Sequence, residues 1–189
     1  IIAEAFFGAG LLVSIYGLMN ANRLRVTQIT VNLPNLPATW QGRTVALVTD
    51  LHLGSIRGAR FTRRVMEKLQ SLKPAAVFIS GDLFDGPEAN PDALVEPLKH
   101  LSTPSGIYFV TGNHEEFGDR TKLIDAVQRV GIHVLNNEKV DVDGLQIVGV
   151  HDREAGDPQP LRALLQQAEL DENRASILLA HQPSNLAIA

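Results

Sequence analysis

Cysteine is absent from the 189 residues. Its absence excludes a disulfide framework, a thiolate metal site and a cysteine nucleophile. Any metal must therefore be held by His, Asp, Glu or Asn side chains. The redox compartment stays open, because a chain without cysteine suits either environment. A basic surplus is also missing. Lys and Arg number 17 against 21 Asp and Glu, a net charge of −4, whereas a dedicated nucleic-acid binder carries an excess of positive charge. There is no low-complexity tract and no internal repeat. With 44% hydrophobic and 20% charged residues, the composition is that of a folded chain. Its length allows one domain with a real core plus an appendage.

The first positive feature is a stretch almost without charge. Residues 1–22, IIAEAFFGAGLLVSIYGLMNAN, hold one charged side chain, Glu4, and Ala5 to Met19 hold none. As a helix this stretch runs roughly 33 Å, the thickness of a bilayer core. Tyr16 stands near one end, where interfacial aromatics collect, and Arg23 and Arg25 follow as a stop-transfer flank. A secretory signal shows a basic start and a small-residue cleavage site; neither is visible. Residues 1–22 are therefore expected to form a transmembrane helix, with a signal segment or a core helix as the alternatives. Residues 23–189 form the domain that follows it. The two arginines lean toward a cytoplasmic position for that domain.

Beyond the helix, LRVTQITVNL alternates apolar and polar residues and predicts a half-buried strand. Pro34 and Pro37 end it. Strands and helices then alternate. Strands are expected at 44–49, 75–80, 107–111, 133–135, 139–142, 145–150 and 176–180, and helices at 60–72, 92–101, 120–130 and 160–169. This is an α/β pattern, and in such folds sites gather on the loops beyond the carboxyl ends of the strands.

Each strong strand ends in residues able to bind a metal. The first runs into Thr49-Asp50-Leu51-His52, the second into Gly81-Asp82-Leu83-Phe84-Asp85, the third into Gly112-Asn113-His114-Glu115, and the last into Ala180-His181-Gln182-Pro183. Asp and His ligate hard and borderline divalent cations, and an Asn carbonyl can join them. If the Asp50-Leu51-His52 turn is extended, residues two apart point the same way and reach one ion. A carboxylate between two metals can bridge them, and such a pair acidifies a bound water and clamps the oxygens of an in-line phosphoryl displacement. Gly81 and Gly112 stand where the chain must leave a strand sharply.

In order and spacing, Asp50-Leu51-His52, Gly81-Asp82-Leu83-Phe84-Asp85 and Gly112-Asn113-His114-Glu115 resemble the calcineurin-like metallophosphoesterase family. The likeness is strongest to its membrane-tethered bacterial branch, which includes enzymes similar to UDP-2,3-diacylglucosamine pyrophosphohydrolases, and it covers residues 23–189. It implies a four-layer αββα sandwich around a dinuclear centre of Mn, Fe or Zn. By motif, Asp50 and His52 would bind one metal, Asp82 would bridge, and Asn113 and His181 would bind the other. His114 would act beside the phosphate as the catalytic acid or charge stabiliser. The family pattern finishes with a Gly-His-x-His segment that this sequence does not contain, so each metal lacks one expected ligand and the chain reads as a fragment.

The resemblance implies a metal-dependent phosphohydrolase at a bacterial inner or plasma membrane, acting on a phosphoester or a lipid-linked pyrophosphate. A non-catalytic metal-binding scaffold and a nuclease of the same fold are the alternatives; the acidic charge balance counts against nucleic acid. Arg57, Arg60, Arg63 and Arg64 form a basic cluster just after the first motif. They are candidates for binding an anionic substrate or lipid headgroups, set against an ordinary solvated face. Asp85 and Glu115 read as turn or supporting residues. His100 reads as solvated, and His133 and His151 as structural.

Overall fold

The structure, a computed structural model, describes residues 2–21, 23–87, 90–185 and 187–188. It divides into two compact units, Ile1–Asn32 and Leu33–Ala189.

The first unit is built on helix α1, Ile2–Ala21. Its apolar residues are distributed all round rather than along one stripe, as in a helix that meets no aqueous face. The segment Ala3–Ala21 is long and apolar enough to cross a membrane, and none of it is buried within the molecule. At 1.5 Å per residue α1 measures about 30 Å. The strand expected after it is not formed. Residues 23–32 carry no regular structure, and Val26, Ile29 and Val31 are exposed. Alternation alone does not make a strand, because its backbone groups need a ladder partner, and among the described residues this stretch has none.

The second unit holds two sheets. The first contains β1 (Val45–Val48), β2 (Ala76–Ser80), β3 (Ile107–Val110) and β4 (His133–Val134), all parallel and in that order. The central strands β2 and β3 are buried at every residue, which explains their unbroken apolar runs. Edge strand β1 alternates between exposed and half-buried residues. The crossovers carry α2 (Ala59–Leu72), α3 (Pro91–Val95) and α4 (Arg120–Arg129). Each step moves one strand along the sheet, so right-handed crossovers put these helices on a single face. The expected helix at 92–101 is split: after α3 the chain tightens into a 3₁₀ turn, Glu96–His100, where Pro97 cannot supply a helical N–H.

The second sheet contains β5 (Glu138–Val142), β6 (Leu145–Gly149) and β7 (Ser176–Leu179), with β5 antiparallel and β7 parallel to β6. Between β6 and β7 lie α5 (Asp152–Gly156), which the sequence did not announce, and α6 (Pro158–Gln167). The two sheets share one core. Phe78, Tyr108 and Val110 from the first pack in the same cluster as Leu145, Ile147 and Leu179 from the second, with Trp40 closing one side. The outer face of the second sheet, with Val148 and Leu178, packs against Ala155 of α5 and Leu161 and Leu164 of α6.

Candidate metal centre

Parallel register brings the motifs together. Val48 pairs with Ile79 and Ser80 with Val110, so the loops after β1, β2 and β3 leave the sheet side by side. The first two are zipped further: His52 N donates to Asp82 O at 3.0 Å, and Leu53 N to Leu83 O at 2.8 Å. On the second sheet Gly149 pairs with Leu179, which sets His151 in register with His181.

The route by which Asp50 and His52 reach one point differs from the extended turn expected. Asp50, His52 and Asp82 all adopt left-handed backbone, with φ of 55°, 46° and 49°. That region disfavours any residue with a Cβ. Three such residues in adjoining loops are a concentration of strain of the kind found at functional sites. Neither Asp50 nor Asp82 caps a helix; Gly58 precedes α2. Asn113 lies in the ordinary right-handed region, φ −69°. The glycines act by proximity as well as by turn. A Cβ on Gly81, itself at φ 84°, would sit 2.7 Å from Gly112 Cα and from His181 Nδ1; one on Gly112 would collide with the Asp82 carboxylate.

Asp82 is the hub, buried at 3% exposure. Its Oδ1 accepts the His114 amide at 2.9 Å. Its Oδ2 faces three imidazoles: His181 Nε2 at 3.4 Å, His52 Nε2 at 3.7 Å and His114 Nε2 at 4.0 Å. Asp50 Oδ1 lies 3.7 Å from the same His52 nitrogen. Two of these rings have their other nitrogen committed. His181 Nδ1 donates to the Ser80 carbonyl at 2.8 Å and His114 Nδ1 to the Asp85 carbonyl at 3.2 Å. A carbonyl only accepts, so in the neutral rings Nε2 presents a lone pair to a carboxylate oxygen. Such acceptors repel unless a proton or cation stands between them. Separations near 3.4–3.7 Å suit neighbouring ligands around an ion bound at about 2.0–2.2 Å. The donor set therefore fits divalent metal.

By distance, two groups share Asp82: His52, Asp82 and His114, and Asp50, Asp82 and His181. The motif pairs Asp50 with His52 instead; the shared Asp82 is common to both divisions. Asn113 makes no side-chain capping bond.

Supporting residues complete the site. Glu115 is fully buried, and its carboxylate accepts the amides of Asp82 at 2.9 Å, Gly112 at 2.7 Å and Phe84 at 3.0 Å. Burial raises its carboxyl above the ordinary range, against the pull of those amides. Asp85 Oδ1 lies 3.4 Å from His52 Nδ1. Arg57 turns inward, donating to the carbonyls of Asp50 at 3.3 Å and Leu51 at 3.1 Å with its guanidinium over Phe61. It braces the first loop. Arg60, Arg63 and Arg64 are exposed on α2. His100 is exposed, and His133 stacks on Tyr108. Asp152 was not anticipated. Burial raises its carboxyl, with Asp82 acting in the same direction and His181 against it. Its only signal in the sequence was its place just after β6.

Residues 43–187 match the model of the calcineurin-like phosphoesterase family, and the chain belongs to that family. It is similar to an uncharacterized metallophosphoesterase of Helicobacter pylori, 29% identical over 144 residues, 75% of this chain and 39% of the relative. A transmembrane protein with metallophosphoesterase domain from Danio rerio is 29% identical over 185 residues, 90% of this chain and 42% of the relative. The UDP-2,3-diacylglucosamine pyrophosphatase LpxG of Chlamydia trachomatis is 32% identical over 98 residues, 51% of this chain and 30% of the relative. The chain thus spans about two-fifths of the length of the first two relatives.

Proposed function

We propose that this chain carries metal-binding residues of a membrane-anchored phosphohydrolase, an αββα sandwich around a dinuclear centre. The observation that carries the reading is Asp82 Oδ2, buried and facing three imidazole nitrogens without a hydrogen bond to any of them. Asp50 and His52 would hold one metal, Asn113 and His181 the other, with Asp82 bridging; Mn, Fe or Zn suits these donors. Such a centre supplies an acidified water and neutralises charge in an in-line displacement at phosphorus. The chain's own residues do the rest. The Ser80 carbonyl fixes the His181 tautomer. The Asp85 carbonyl orients His114, whose imidazolium Nε2–H would give a proton to the leaving oxygen.

The distances also favour a second reading, in which His114 is itself a ligand beside His52 and Asp82. The apolar α1 and the pyrophosphatase relative support a phosphoester or lipid-linked pyrophosphate at a membrane surface. Arg23 and Arg25 support a cytoplasmic domain. Arg57, Arg60, Arg63 and Arg64 are the candidates for anionic substrate or headgroups, and the exposure of the last three on α2 supports this.

The test is Mn²⁺-dependent hydrolysis of bis-p-nitrophenyl phosphate by the protein in detergent, with metal content measured beside Asp82→Asn and His114→Ala. Asp82→Asn is expected to lose metal and turnover. His114→Ala is expected to keep two ions while turnover falls by about 10²–10⁴; loss of one ion would instead make His114 a ligand. Two bound ions with no turnover on this ester or on lipid pyrophosphates would leave a scaffold and sink the enzymatic reading.

A further inference from the structure

β3 and β6 belong to different sheets, yet their downstream ends are drawn together. A Cβ on Gly149 would collide with the Leu135 side chain and come within 3.0 Å of Val110 Cγ1, so only glycine permits this spacing. One residue beyond Val110 and two beyond Gly149 the contact turns polar. Thr111 Oγ1 and His151 Nδ1 lie 2.6 Å apart, at 0% and 2% exposure. The backbone of His151 is anchored as well, its amide donating to Asn137 Oδ1 at 2.9 Å.

Gly149 and Leu179 end the ladder between two parallel strands, and His151 and His181 each lie two residues beyond that last pair. Both send Nδ1 across to the first sheet. His181 lands on the Ser80 carbonyl, just before Gly81-Asp82. His151 lands on Thr111, just before Gly112-Asn113. The second sheet is thus tied twice to the first, each time at the residue that precedes a glycine and a metal-type donor.

We propose that His151 is a positioning residue: its bond to Thr111 fixes how far Asn113, in the loop beyond β3 of the first sheet, stands from His181, just beyond β7 of the second, and so sets the geometry of the metal position the two-metal reading gives them. The inference rests on the two-metal reading. Its physical basis is tolerance. Metal–ligand distances hold to within about 0.2 Å, and donors carried by two separate sheets meet that limit only where the sheets are tied. A buried hydrogen bond between two short side chains is such a tie, because neither partner can exchange to water without an unsatisfied polar group.

The experiment is calorimetric titration of Mn²⁺ into the metal-free protein in detergent, with thermal unfolding measured alongside, for the unaltered chain and for Thr111→Val, Thr111→Ser, His151→Phe and the Thr111→Val/His151→Phe pair. The unaltered chain is expected to take two ions. Thr111→Val, which keeps shape and loses the hydroxyl, is expected to bind one ion as before and the other about 10–100-fold more weakly. Thr111→Ser is expected to retain both affinities. The double variant should be no weaker than the single ones, since each removes the same bond. Thr111→Val binding both ions within about twofold of the unaltered chain would overturn the proposal, even if its unfolding temperature fell. Equal losses in Thr111→Ser and Thr111→Val would overturn it too, by assigning the effect to packing. An unaltered chain that binds no Mn²⁺ fails at the earlier step and takes both readings down.

Discussion

Glu115 holds the backbone of Asp82: in complete burial its Oε2 accepts the Asp82 amide at 2.9 Å. The same carboxylate takes the amides of Gly112 and Phe84, so one side chain from the third loop fixes the second loop and the start of its own.

Glu115→Ala leaves three buried amides without an acceptor, at about 1–3 kcal/mol for each unsatisfied group. We expect a loss of about 3–5 kcal/mol in unfolding free energy, read by denaturant titration, with loss of Mn²⁺ binding. A loss below about 1 kcal/mol would mean that water replaces the carboxylate and the anchoring role is wrong.

Glu115 also gives stability a pH dependence. Burial raises its carboxyl above the ordinary carboxylate range in the folded protein. The folded state therefore binds more protons than the unfolded chain between the ordinary value, about 4.3, and the raised one. Stability from this group is complete below that window and is lost as pH rises through the raised pKa. In metal-free protein, unfolding free energy of the unaltered chain should decline with pH across the window relative to Glu115→Gln, which has no such proton to lose. Parallel pH profiles for the two proteins would rule the effect out.

Gly81 and Gly131 share the same φ of 84°, but only Gly81 is crowded; nothing lies within 4 Å of a Cβ on Gly131. Gly131→Ala should cost about 1–2 kcal/mol, the left-handed backbone penalty alone. Gly81→Ala should cost about 1–3 kcal/mol more from the collision with Gly112 and His181, and should displace His181 from the site. Equal thermal shifts in the two variants would show that the loops after β2 and β3 can part freely.

The motifs were legible because the site is built from strand ends. Asp50, His52, Asp82 and His114, which the structure clusters, each follow a short apolar run, and parallel pairing of those runs needs no special side chain to align them. The candidate membrane helix was legible for a similar reason, since length and lack of charge are properties of composition. The strand expected over LRVTQITVNL failed because alternation describes only what a strand would bury. The bracing role of Arg57 was not legible: basic residues beside a motif look alike in sequence, and only folding turned this one onto the carbonyls of Asp50 and Leu51.

The amino-acid sequence by itself determined which chemistry is available: no thiols, four strand ends carrying carboxylate, amide and imidazole donors, and glycines where the chain must turn. Local spacing and periodicity suffice for that. Only the tertiary structure decided how the donors share one another. Asp82 became the hub, and Asp50, His52 and Asp82 were driven into left-handed backbone. Glu115 came to accept the Asp82 amide, and Thr111 met His151 in a buried bond between the two sheets. Those roles depend on the approach of two sheets and three loops distant in the chain, and no local pattern encodes a distance between elements that meet only after packing.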